Sequence, residues 1–180
     1  MMAILFVSAC GGREEVSLKD ELNPLNDQFF IEKHESYVEM LIEDQGFSME
    51  EANEEAYRIQ LNEVAIVNRA MELGMDVSEE EALNVAQEMR QYLVENSNET
   101  EEASAHTKAI IKQLGISEDQ YWNEYVITSY KQMLMREQVM EYERQENPSK
   151  SWNERQEELI DEFKRNEATQ IQEFKRQVGL

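Results

Sequence analysis

The chain has almost none of the residues that staple or interrupt a small protein: one cysteine, two prolines and six glycines in 180 residues. A single cysteine excludes an intramolecular disulfide and any multi-cysteine metal site. The two histidines, His34 and His106, lie in different segments without HExxH-type spacing. No metal site is therefore legible, and both read as exposed or locally hydrogen-bonded. GxGxxG, the phosphate-binding P-loop and GxSxG are absent too. Acidic runs such as Glu50-Glu51 and Glu79-Glu80-Glu81 fall in first helical turns, where they complement the helix dipole. Nothing joins a nucleophile to a base, so no catalytic residue, metal or cofactor is expected.

Positive charge is also scarce. Lys and Arg number 17 against 39 Asp and Glu, a net charge of -22. Such a surface repels phosphates and argues against nucleic acid. It argues equally against docking on anionic lipid through the protein surface. No apolar run approaches the ~20 residues of a membrane-spanning helix. The length suits one domain with an appendage, large enough to bury a core without disulfides.

What is present is helix-forming. Glu, Gln, Met, Ala and Leu dominate, and β-branched runs are few. Three stretches share one design: "QGFSMEEA", "LGMDVSEEEA" and "LGISEDQY". In each, a Gly suited to a left-handed C-cap is followed by an apolar residue, a Ser, and a Glu or Gln three residues on. Ser48/Glu51, Ser78/Glu81 and Ser117/Gln120 are capping boxes, with Phe47/Ala52, Val77/Ala82 and Ile116/Tyr121 placed as hydrophobic staples. A fourth box, Ser151/Glu154, lacks the staple because Lys150 and Arg155 hold those positions. The spacing predicts helices over 27–45, 48–73, 78–96, 101–114, 117–146 and 151–178. The last carries a sparse stripe from Trp152 to Val178 and reads as one long arm lying on another surface. Ten methionines and a cluster of aromatics stand out in so polar a chain. Most of these read as core, and the rest as the lining of a shallow, adaptable groove.

The apolar stretch "ILFVSACGG", residues 4–12, ends at the sole cysteine. The order Val7-Ser8-Ala9-Cys10 resembles a bacterial lipobox, in which small residues precede a cysteine that is lipidated and becomes the mature N-terminus. Only nine residues precede Cys10 and none is basic, whereas secretory signals have a basic start and run ~15–30 residues. Either the true start lies upstream or the signal is degenerate. A diacylglyceryl group brings the two chains that stable anchoring generally needs.

From about residue 60 to 140 the sequence resembles the N-terminal helical domain of the SurA/PrsA type of periplasmic and lipoprotein foldases. "LNEVAIVNRAMELGMDVSEEEALNVAQEMRQYL" pairs a helix ending in Glu-Leu-Gly with a Val-Ser-x-x-Glu start. "QLGISEDQYWNEYVITSYKQMLMREQV" continues into a long helix rich in Tyr and Met. The resemblance spans roughly residues 27–145 and is one of pattern. It implies an all-α fold, a helical lobe that cradles unfolded clients, and a C-terminal helix returning to pack on it. It departs where a parvulin isomerase domain would fall, near "QENPSKS", because so few residues cannot hold a sheet and its core. The resemblance therefore withholds isomerase activity.

The expected organisation is a lipoprotein signal and lipobox at 1–10, a tether at 11–26, a SurA-like helical domain at 27–146 and a C-terminal helix packing on it at 151–180. The expected protein is a non-enzymatic chaperone-like lipoprotein on the outer face of the bacterial cytoplasmic membrane. It would bind unfolded or extended secreted polypeptides in a cleft lined by Tyr121, Trp122, Tyr125, Met133 and Phe163. The alternative is a structural or adaptor lipoprotein whose helices pair with a specific partner. In membrane fractionation, the wild type expressed from its true start should sediment with membranes and Cys10→Ala should move to the soluble fraction. Identical soluble behaviour of the two proteins would remove the anchor.

Overall fold

The computed structural model describes residues 22–180, and all of its regular structure is helical. Cys10, the lipobox and tether residues 11–21 lie outside the described residues. The elements are α1 (Ile31–Gln45), α2 (Met49–Glu72), α3 (Glu79–Glu95) and α4 (Glu101–Leu114). A short α5 (Glu118–Gln120) runs through a π-helical turn (Tyr121–Tyr125) into α6 (Ile127–Glu146). Then α7 (Trp152–Asn166) and α8 (Ala168–Gln177) complete the chain.

The boundaries are built as the punctuation predicts. All four capping boxes form, each Ser accepting from the backbone three residues on and being bonded in return. Gly46 and Gly115 take the left-handed C-cap, with φ of 71° and 67°. Phe47 and Ala52 share one apolar cluster and Ile116 and Tyr121 another, as staples require. Val77 departs from this: it is buried with Ile66, Val67 and Val139, while Ala82 belongs with Trp122.

Helix α2 is the axis of the fold. Gln60, Leu61, Val64, Ala65, Ile66 and Val67 are all buried, so its middle is enclosed on every side. The core is correspondingly divided. Leu41, Ala52 and Ala56 join α1 to α2. Leu61, Val64 and Ala65 meet Phe163 and Ile171 of the C-terminal arm. Ile66, Val67 and Ala70 meet Met135, Val139 and Leu159. A fourth cluster, around Tyr121, Trp122 and Ile127, holds α3 and the π-turn. Gln60 is fully buried because its amide replaces a missing cap. Its Nε2 donates to the Phe30 carbonyl at 3.0 Å, and its Oε1 accepts the Phe30 N–H at 3.2 Å.

Several expectations are corrected. The first helix begins at Ile31 rather than 27, because Phe30 is held extended as its N-cap. Residues 23–26 are no tether: Asn23 donates to the Tyr125 carbonyl and Ser129, and fully buried Asn26 donates to Glu63 and Gln132. The helix expected over 117–146 contains the π-turn, closed by the Val126 N–H to the Tyr121 carbonyl at 3.1 Å. The single long C-terminal helix is two helices, broken at Glu167, which leaves the helical conformation at φ -108°, ψ 27°. The arm then follows α1 and α2: Phe174 stacks on Phe29 at 4.6 Å, and the Val178 carbonyl accepts from Asn53. His34 is also deeply buried rather than exposed, with Nε2 2.6 Å from Asn53 Oδ1 and the ring edge-on to Phe174.

The arm is locked to the lobe by charge at its first turn. Glu143 of α6 is 1% exposed. Its Oε1 accepts from Arg69 of α2 at 3.1 and 3.2 Å, and its Oε2 from Arg155 of α7 at 2.9 Å and from Asn147 at 2.8 Å. Burial alone would push the Glu143 carboxyl up, but the hydrogen bonds from the two arginines outweigh it and hold it below the ordinary value. Removing one partner from a buried pair typically costs ~3–5 kcal/mol. Glu143→Ala should therefore lower the Tm by about 10 °C, a chain of this size losing ~2–4 °C per kcal/mol. The linkage has the sign of a depressed carboxylate. Its stabilisation is full above the unfolded value near ~4.3 and is lost as pH falls through the lower folded value. Thermal melts of wild type and variant should converge on acidification across that window; a gap that stays constant with pH would contradict it.

Candidate functional site

The five residues expected to line one cleft stand in three places. Tyr121 and Trp122 are buried at 8% and 5% exposure, packed edge to face with ring centroids 5.2 Å apart. Tyr125 stacks on Tyr121 at 5.6 Å and is half-buried. Burial pushes the phenols of all three neighbouring tyrosines, Tyr121, Tyr125 and Tyr130, above their ordinary range. Phe163 is buried against α2 with Leu61 and Val64, well separated in the packing from that aromatic group. Met133 lies half-exposed on the rim of a different pocket. The single cleft is therefore corrected: its intended lining is mostly core.

Trp122 of the aromatic group lines one opening. Between α3 and α4 lies an open groove of about 580 Å³, within the ~300–1,000 Å³ range of ligand clefts. Leu93 and Val94 form one wall and Ala105 and Ile111 the other, and Trp122 is also in the lining. Val94 is 70% exposed. The wall provided by α4 is lightly held. None of its residues is fully buried, and Ile110, Ile111 and Leu114 are its apolar attachment to the Trp122 cluster. The side chain of its N-cap, Thr100, caps no helix N–H and instead donates back toward the carbonyls of Leu93 and Asn96. The rim carries both signs: Glu101, Glu118, Lys108 and Arg90. Arg90 is already neutralised by Glu118 at 3.1 Å and Asp119 at 2.9 Å.

A second pocket, about 370 Å³, opens between α1, α2 and α6. Lys33, Tyr37, Asn62, Glu63, Ser129, Gln132 and Arg136 supply polar groups, and Ile66, Val67 and Met133 apolar ones. Beneath it, Tyr37 donates to Glu63 Oε2 at 2.7 Å, and Asn26 donates to the same oxygen at 2.8 Å and to Gln132 Oε1 at 2.8 Å. Burial, then the Glu63 charge and hydrogen bond, push the Tyr37 phenol up. Burial pulls the Lys33 amine down, an effect that Glu63 partly offsets. Among the described residues, no group of three or more His, Cys, Asp or Glu is placed to hold a metal.

Neither opening was legible in the sequence. The groove depends on Val94 standing beside Leu93, off the buried stripe of Ala82 and Ala86, and a lone exposed valine carries no signal. The pocket draws on segments up to 106 residues apart, joined by Asn26 and Gln132. The methionines are a further correction. Of the eight in the described region, Met135 alone is fully buried, while Met40, Met49, Met71, Met89, Met133 and Met140 are exposed.

The sequence is 50% identical over 157 residues to the glutamate-rich protein GrpA of Alkalihalophilus pseudofirmus, covering 87% of this chain and 99% of that one. The chain belongs to that protein's family. No protein-family profile and no solved structure matches it.

Proposed function

We propose that this member of the GrpA family is a chaperone-like lipoprotein, held by a lipidated Cys10 at the outer face of the bacterial cytoplasmic membrane, that binds extended segments of unfolded secreted polypeptides. The observation that carries the reading is the groove between α3 and α4, where apolar residues stay exposed against a helix that has no fully buried residue. A wall with few buried contacts can shift to fit different segments at small cost. Exposed methionines along α1, α2, α3 and α6 add further adaptable apolar surface. The acidic surface keeps such a protein soluble and attracts basic clients. Among the described residues no helix is long and apolar enough to cross a membrane, so in this reading the acyl chains supply the attachment.

The SurA/PrsA resemblance stays part of the proposal, with isomerase activity left out of it. Between α6 and α7 stand only residues 147–151, a turn and not a domain. The adaptor reading loses its main support, because the apolar stripe of the arm is engaged at home. Leu159, Phe163, Ile171 and Phe174 are all buried against the lobe.

The test is suppression of aggregation of several unrelated unfolded secreted proteins by the full chain. Val94→Glu puts a charge on the groove wall at an exposed position, where substitutions usually change stability by within about ±0.5 kcal/mol. It should keep its Tm and lose several-fold in suppression. Trp122→Ala is less informative, since emptying a buried aromatic site costs ~3–5 kcal/mol by itself. If the wild type slows none of the clients, the chaperone reading fails. If the wild type is active and Val94→Glu equally so, clients bind elsewhere.

A further inference from the structure

The pocket between α1, α2 and α6 carries two cations, Lys33 and Arg136, against one carboxylate, Glu63, in a protein of net charge -22. With 39 carboxylates to 17 cations, a partner is easy to find. Other cations of limited exposure have one: Arg69 and Arg155 hold Glu143, Arg90 holds Glu118 and Asp119, and Lys131 holds Asp76. Lys175 lies over the ring of Tyr57. Lys33, half-buried, and Arg136, exposed, both line this pocket, and among the described residues neither forms an ion pair. The Lys33 charge is therefore poorly solvated, and the nearby Glu63 charge offsets that only in part. Glu63 is the one carboxylate among the described residues of the lining, so a second anion in the site would complete the compensation of two cations.

The remaining lining narrows the chemistry. Glu63 Oε2 is committed to Tyr37 and Asn26, which fixes the carboxylate in place and leaves Oε1 without a hydrogen-bond partner among the described residues, in a residue that lines the pocket. Ile66, Val67 and Met133 offer an apolar patch beside it. A carboxylate, an N–H donor and an apolar side chain in one small unit describe an amino-acid residue with a free carboxyl group. An inorganic anion would leave Glu63 facing it without a donor, and a simple fatty acid would leave the same acceptor unused.

We propose that this pocket binds an apolar aminoacyl unit through its free carboxylate, with Lys33 and Arg136 taking the carboxylate, Glu63 accepting the unit's N–H, and Ile66, Val67 and Met133 covering its side chain. Two sources carry that chemistry: the C-terminal residue of a polypeptide and a free amino acid. The site does not depend on the groove between α3 and α4, and it stands or falls separately from the chaperone reading.

Calorimetric titration of the full chain with N-acetyl-leucine, leucine and N-acetyl-leucinamide tests it. N-acetyl-leucine should bind, and the amide, which lacks the charge, should bind roughly tenfold more weakly or worse. Lys33→Gln and Arg136→Gln should each weaken N-acetyl-leucine by about tenfold with unchanged melting, while Val94→Glu should leave it unaffected. If leucine binds as well as N-acetyl-leucine, the pocket takes free amino acids; if only the acetylated form binds, it takes chain termini. The proposal is overturned if no carboxylate binds, if the amide binds equally, or if both cation variants bind as the wild type does.

Discussion

Three helices meet at one carboxylate. Glu143 of α6 is held by Arg69 from α2 and Arg155 from α7, and it is almost wholly removed from water. The desolvation of such a group is tolerable only when its lone pairs are filled, and here four donor contacts from three residues fill them. The consequence is geometric more than energetic. Once Arg155 is fixed, the first turn of α7 is fixed, and with it the line along which Leu159 and Phe163 meet α2. A sparse apolar stripe can then dock in one register, because the ion triad has already chosen it. Asn147 joins the same carboxylate, so the turn that reverses the chain belongs to the lock too.

The division of the core follows from the shape of α2. A 24-residue helix buried around its middle cannot gather all its neighbours into one cluster. It takes α1 near its start, the arm along one flank, and α6 toward its end. The α3–α4 hairpin is left to pack mainly on the π-turn and α6, through a cluster of its own. That cluster holds no residue of α2, and α4 can therefore stand as a thinly attached wall with an open groove behind it. The pocket arises for the opposite reason. Where α1, α2 and α6 converge, polar side chains keep the helices from closing, and Asn26 bridges Glu63 to Gln132 across the gap.

The helices were legible because their ends are written locally. A Ser with a Glu or Gln three residues on needs no tertiary partner, and all four such boxes form as read. The all-helical class followed from the same signals. The break at Glu167 was not legible, since no Gly or Pro marks it; it comes from the arm turning to reach Phe29 and Asn53. Arg155 was read as the residue that spoils a staple. Its partner stands twelve positions earlier on another helix, and no helical periodicity links them. The candidate cleft failed for a related reason. Tyr121, Trp122, Met133 and Phe163 share apolar character, but nothing local says whether an apolar side chain meets a neighbour or water.

The π-turn did leave a trace. Tyr121, Trp122, Tyr125, Val126 and Ile127 put five apolar residues in seven positions, too wide a band for the face of an α-helix. In an unbroken α-helix, residues seven apart lie within about 20° of one face. Trp122 and Ser129 would then look the same way, and the groove and the pocket would compete for one side of the rod. The turn inserts one extra residue and rotates the remainder of the rod by roughly a quarter-turn or more. Trp122 can therefore close the cluster beneath α3 and α4 while Ser129, Gln132 and Met133 face α1 and α2. Asn23 secures the arrangement by donating both to the Tyr125 carbonyl, inside the turn, and to Ser129 just beyond it. One rod thus lines two openings because its hydrogen-bond ladder slips once, between them.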